Sequence, residues 1–207
     1  MNFKITDVII KRVKYMNENY GKGILPPQNM FYYHSILYSA KCSLTAFYKY
    51  EHLLQEKADS IELISSLQEA IGHATNLSWY FFNDGGKVTA YKPKEMVTFI
   101  QNRSNGFKEE FNIDDKSALK DRRLRNMFEH FDEKLDIYLL QTLVGTFYPM
   151  PRVGKISEIE QKEFDKNFKM LDIEEKCLVI FNEVFYFEEI AKEVVRIYEI
   201  AREKSQI

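Results

Sequence analysis

Three stretches of this chain carry apolar residues at alternating three- and four-residue spacing, and the residues that would interrupt them are scarce, with only 8 Gly and 5 Pro among 207 residues. That spacing lays one apolar stripe along a helix, which leaves little room for anything but a largely helical fold. From about Asn29 to Lys57 the stripe runs through Tyr33, Ile36, Leu37, Ala40, Leu44, Phe47 and Leu54. From about Asp59 to Phe82 it runs through Ile64, Leu67, Ile71, Ala74, Ser78 and Phe81, and Asn83-Asp84-Gly85-Gly86 then ends it. Antiparallel packing of these two helices follows from the short connection. A third long helix is predicted from about Ser117 to Leu143, with Leu124, Met127, Phe128, Phe131, Leu135, Tyr138 and Leu139 inward. Shorter helices are predicted at about Thr6 to Asn17, capped by Thr6, and from Pro93 toward Arg103, where Ser104-Asn105-Gly106 reads as a polar loop.

After Pro149-Met150-Pro151 the texture changes. Phe168 to Ile173 and Cys177 to Phe181 are short and rich in aliphatic residues, which predicts two strands in a small hairpin. Phe187 to Lys204 predicts a terminal helix with Ile190, Val194, Ile197 and Ala201 inward. The expected architecture is a mainly all-α single domain spanning 1–207, with a helical core over about 29–143 and a hairpin and helix appended over 144–207.

The charge balance narrows the functional classes. With 29 basic and 31 acidic residues and a formal charge of -2, no broad attraction to phosphate backbones or anionic membranes is available, so a nucleic-acid site has to be local. Cys42 and Cys177 stand far apart in apolar runs and read as core residues rather than a metal site or redox pair. No stretch approaches the roughly 18 apolar residues that a membrane span needs, and no secretory signal is visible, which predicts a cytoplasmic protein.

One segment carries chemistry: Lys120-Asp-Arg-Arg-Leu-Arg-Asn-Met-Phe-Glu-His-Phe-Asp-Glu-Lys-Leu-Asp136. On a helical wheel His130 falls on the solvent side, away from the apolar stripe, and shares a face with Asn126 and Glu133, with Arg122 and Glu129 close by. Arg125 lies about 140 degrees around the helix from His130, so its long side chain bends toward the imidazole or acts across a contact with another chain. Lys116, Lys120, Arg122, Arg123 and Arg125 against the lone Asp121 form a basic patch.

Arg125-Asn126-Met127-Phe128-Glu129-His130 resembles the R-polar-x3-H form of the signature of HEPN domains, helical modules that in many members are metal-independent endoribonucleases. Arg123 also fits at a longer spacing, but it is followed by Leu124, whereas Arg125 is followed by the polar Asn126. The resemblance covers about 29–143 and includes the two long helices before the motif. It implies a HEPN-like antiparallel bundle, a homodimer whose motif helices build a shared site, an RNA substrate and no cofactor. It also implies cleavage to a 2′,3′-cyclic phosphate and a 5′-hydroxyl, and a place in a toxin–antitoxin or phage-defence system with an antitoxin or nucleotidyltransferase-like partner.

The residue types suit that chemistry. Cleaving RNA without a metal needs a group that exchanges protons near neutral pH, and histidine is the side chain that does so, which assigns His130 as general acid and base. Charge building on the phosphoryl oxygens suits the forked guanidinium of Arg125. Asn126 has donors and an acceptor with which to orient the histidine or hold a phosphate oxygen. Glu129, Glu133 and Arg122 are placed as supporting residues, and Lys120 and Arg123 as RNA-binding ones. The same residues also fit a solvated charged face, since Arg125 with Glu129 and His130 with Glu133 stand at ordinary helical neighbour spacing. A non-catalytic HEPN-like dimerisation or binding module is therefore the alternative.

Other candidates are thinner. Glu69, His73 and Asn76 share a face with too few ligands for a metal. His34 and His52 have no evident partners, and Tyr32, Tyr33, Tyr38, Tyr48 and Tyr50 read as core and interface packing rather than as a base-stacking set.

Overall fold

A computed structural model describes residues 5–21, 25–89, 91–121, 123–141, 147–160 and 166–206. Among them are seven α-helices and one four-stranded sheet near the C-terminus. The helices are α1 (Asp7–Asn19), α2 (Pro26–Gln55), α3 (Ser60–Phe81), α4 (Lys94–Glu110), α5 (Arg123–Glu129), α6 (Phe131–Gln141) and α7 (Glu188–Lys204). A mostly helical chain with a small C-terminal sheet agrees with the class expected from the sequence.

The two long helices form because their stripes are nearly unbroken and their ends are capped. Pro26 takes the first position of α2, where a missing N–H costs nothing. At the other end Lys57 adopts a left-handed φ of 56°, Ala58 N–H donates to the Leu53 carbonyl and Lys57 N–H to that of Leu54. This is the paired closure of a Schellman motif. The Asp59 carboxylate then accepts the N–H groups of Ile61 and Glu62 at 2.8 and 3.0 Å and starts α3. All six predicted inward residues of α3 are buried. Helix α7 packs against α2, and Ile190, Val194, Ile197 and Ala201 enter the same core as the long helices.

Helix α4 corrects the sequence expectation. Ser104-Asn105-Gly106 lies inside it, with Ser104 and Gly106 buried at its packed face. The stop comes at Asn112, whose φ of 53° permits the same closure, Ile113 N–H donating to the Lys108 carbonyl at 2.8 Å. Tyr33 of α2 donates its hydroxyl to Glu110 of α4 at 2.7 Å. Burial, and then that carboxylate, push its phenol up to about 12.

The predicted hairpin is part of a larger sheet of β1 (Arg152–Val153), β2 (Lys169–Asp172), β3 (Cys177–Ile180) and β4 (Glu183–Tyr186), in that order. β1 runs parallel to β2, and the other neighbours are antiparallel. Both outer strands, β1 and β4, were missed in the sequence, and β4 follows a two-residue turn in which Phe181 and Asn182 both have positive φ, 46° and 75°. Such a turn matches the twist of the strands it joins. Phenylalanine is costly in that conformation, and here its ring packs 5.0 Å from the centroids of both Phe131 and Tyr138.

Candidate functional site

The predicted helix from Ser117 to Leu143 is broken. Residues Ala118–Lys120 form a 3₁₀ turn, Asp121 is extended, and α5 and α6 are separated at His130. Leu143 lies outside the described residues. Two local features set these boundaries. The Asp121 carboxylate accepts the N–H of Arg123 at 2.9 Å and so opens α5. At the other break, His130 N–H donates to the Asn126 carbonyl at 3.1 Å, while its own carbonyl accepts from Lys134 at 3.0 Å. His130 therefore closes one helix and opens the next. The joint lets each helix find a different neighbour: α5 buries Leu124 and Met127 in the core beside α3, and α6 turns Phe131 and Tyr138 onto the aromatic cluster of Phe168 and Phe181. Leu139, expected inward, is instead exposed.

The imidazole of His130 is 55% exposed, and its Nδ1 lies 3.7 Å from Oε2 of Glu133. Asn126, one turn back along α5, and Glu129, the residue just before His130, are both exposed. Arg125 occupies the middle of α5, although its side chain, like the whole of Arg122, lies outside the described residues. Solvent-side placement of Asn126, His130 and Glu133 thus accords with the sequence. What the structure adds is that they sit at a joint and not along one straight helix.

The basic patch is less free than the sequence suggests. Arg123 is clasped by Asp121, with Nη2 2.6 Å from Oδ2 and Nε 3.1 Å from Oδ1. That hydrogen bond holds the Asp121 carboxyl below the usual range. Lys120 pairs with Asp115 at 3.3 Å, and Asp115 is lowered chiefly by it. Arg123 also lies 5.9 Å from the ring of Phe185, tying the start of α5 to β4.

The other sequence candidates disperse. Glu69 faces Lys49 at 3.9 Å, and with His73 it lines a cleft between α2 and α3. Asn76 lines the adjoining cleft. Among the described residues no three His, Cys, Asp or Glu side chains converge in a way that could hold a metal ion. His52 does have a partner, since its Nδ1 lies 3.2 Å from Glu56. Cys42 and Cys177 are both free thiols, and burial pushes that of Cys177 up to about 11. Tyr33 and Tyr50 are buried in the core as expected, whereas Tyr38 and Tyr48 stay out of the core of the single chain, being 67% and 66% exposed. Their positions at the outer side of α2 follow from a stripe already filled by Ile36, Ala40 and Phe47. No helix among the described residues is long and apolar enough to cross a membrane.

Compared with protein-family models, with curated proteins and with solved structures, the chain matches none.

Proposed function

We propose that this chain is a metal-independent endoribonuclease of the HEPN type, with His130 as the proton-transferring residue and Arg125 as the stabiliser of the phosphoryl charge. The observation that carries the reading is the placement of His130: an exposed imidazole at a helix joint, with the Glu133 carboxylate 3.7 Å from Nδ1. A carboxylate on that side favours the ring orientation and leaves Nε2 for the substrate. In the reaction the imidazole takes the proton of the 2′-hydroxyl as that oxygen bonds to the adjacent phosphorus. The bond from phosphorus to the 5′-oxygen breaks, and that oxygen leaves with a proton returned by the imidazolium. The products are a 2′,3′-cyclic phosphate and a 5′-hydroxyl, and no water is consumed. Asn126, one turn before His130, supplies amide donors to a phosphate oxygen.

A homodimer completes this reading. On the α6 side, Glu133, Ile137 and Leu140 follow His130 at spacings that keep all four on one outer face. Ile137 is 51% and Leu140 77% exposed, an apolar strip that a second copy would cover while bringing a second His130 alongside. The ion pairing of Lys120 and Arg123 favours the alternative, a non-catalytic binding module using the same face. Incubating RNA with the protein in EDTA, with His130→Ala as control, separates the two. Wild-type cutting lost in the variant supports the nuclease, and intact RNA with both proteins supports the module.

A further inference from the structure

Away from the motif, three clefts follow one another, each sharing one lining residue with the next. The first, of about 410 Å³ between α2 and α3, shares Tyr38 with a second of about 500 Å³. The second shares Asn83 with a third of about 540 Å³, which runs along α4 and ends at Lys120, three residues before α5 begins. We propose that these clefts together form one groove that binds single-stranded RNA and leads it toward the motif at α5 and α6, a proposal that rests on the nuclease reading for the destination but not for the binding.

The lining has the chemistry of a single-strand track. Two aromatic side chains project at its first and second clefts, Tyr38 at 67% exposure and Trp79 at 46%. Exposed rings stack bases of any sequence, because every base has a π-face. Five cations line the three clefts against three carboxylates, so the groove is locally basic on a chain whose formal charge is -2. Lys108 and Lys120 stand at its motif end and Arg103 at its middle. Five side-chain amides, Asn83 and Gln101 among them, offer the paired donor and acceptor that base edges recognise.

An independent sign comes from the floor. Ser104 is 3% exposed and lines the third cleft, yet its hydroxyl has no hydrogen-bond partner, and the buried Nε of Arg103 beside it has none either. Unsatisfied polar atoms under a cleft are costly and are offset when a polar ligand arrives. A peptide with the same footprint fits less well. Mixed amides, stacked rings and an excess of cations match a flexible polyanion carrying flat bases.

The test is fluorescence anisotropy with a labelled 15-nucleotide single-stranded RNA whose sugars are 2′-O-methylated, so that it binds without being cut. Wild type should bind it, and a 15-base-pair duplex should bind at least tenfold more weakly. The double variant Tyr38→Ala with Trp79→Ala should lose about tenfold or more in affinity, whereas Tyr38→Phe with Trp79→Phe should recover most of it, which rules out a folding effect. Lys108→Gln should flatten the slope of log affinity against log salt by about 0.7. Affinity unchanged in the alanine pair, equal binding of the duplex, or no binding by wild type overturns the groove. The cleavage assay reads separately: RNA cut by wild type without a ring dependence removes the groove and keeps the nuclease, and ring-dependent binding without any cutting keeps the groove and removes the nuclease.

Discussion

Oε2 of Glu133 lies 3.7 Å from Nδ1 of His130, across the joint where α5 ends and α6 begins. The carboxylate belongs to the first turn of α6, where acidic side chains also complement the helix dipole. Its position is thus favoured by the helix as well as by the histidine. Glu133→Gln keeps the shape and removes the charge. Cleavage should fall by about threefold to tenfold with the RNA affinity unchanged, since the side chain acts through the ring and touches no substrate. Single-turnover rates at saturating enzyme, beside binding of an uncuttable RNA, separate the two quantities. An unchanged rate would remove Glu133 from any supporting role.

Ile137 and Leu140 give a way to test the proposed dimer. Both are exposed in the single chain, so Leu140→Glu should leave the fold and its melting temperature nearly unchanged. It should convert the protein to a monomer in sedimentation velocity and lower cleavage together with the dimer fraction. A variant that stays dimeric, or a monomer of full activity, would place the contact elsewhere.

Asp121 restrains the basic patch by clasping Arg123. Asp121→Asn retains an oxygen for the Arg123 N–H, and so the start of α5, but releases the guanidinium. RNA affinity at low salt should rise by about twofold to threefold, with the gain fading above about 0.3 M salt as exposed charges are screened. Titrations of labelled RNA at several salt concentrations check this, and a loss of affinity would contradict it.

The sheet carries its own titratable anchor in Asp172. Burial would raise its carboxyl, but the N–H groups of Glu175, Ile156 and Glu174 and the nearby Lys155 outweigh burial and hold it below the usual carboxylate range. A lowered carboxyl stabilises the fold above the unfolded-state value of about 3.9 and stops doing so as pH falls through the folded-state value. Asp172→Asn should therefore cost about 1–3 kcal/mol at pH 7. Urea unfolding at pH 7 and in acid should show that gap closing as the pH drops.

Much of this architecture was legible because burial and periodicity coincide. In α2, α3 and α7 every predicted stripe faces one core, and the cap Thr6 stands where the sequence suggests. The joint at His130 was not legible for the same reason. Leu124, Met127, Phe131, Leu135 and Tyr138 keep helical spacing straight through it, although α5 and α6 pack on different neighbours, so periodicity alone cannot register the bend. For the earlier break, where α5 begins, Asp121 with its short side chain two residues before Arg123 was the available signal. The length of α4 was hidden differently: Gly106 reads as a breaker, but it stands on a buried face inside the helix. The candidate site was legible as a set of residues, and its cost in local ion pairs was not, because Asp115 and Lys120 meet only through a loop.

The most direct measurement is mass spectrometry of the ends formed when RNA is incubated with the purified protein in EDTA. Fragments carrying a 2′,3′-cyclic phosphate and a 5′-hydroxyl, formed by wild type and absent with His130→Ala and Arg125→Ala, are the predicted result. Intact RNA with all three proteins, or ends carrying a 3′-hydroxyl and a 5′-phosphate, would contradict the assignment of His130 as the proton-transferring group.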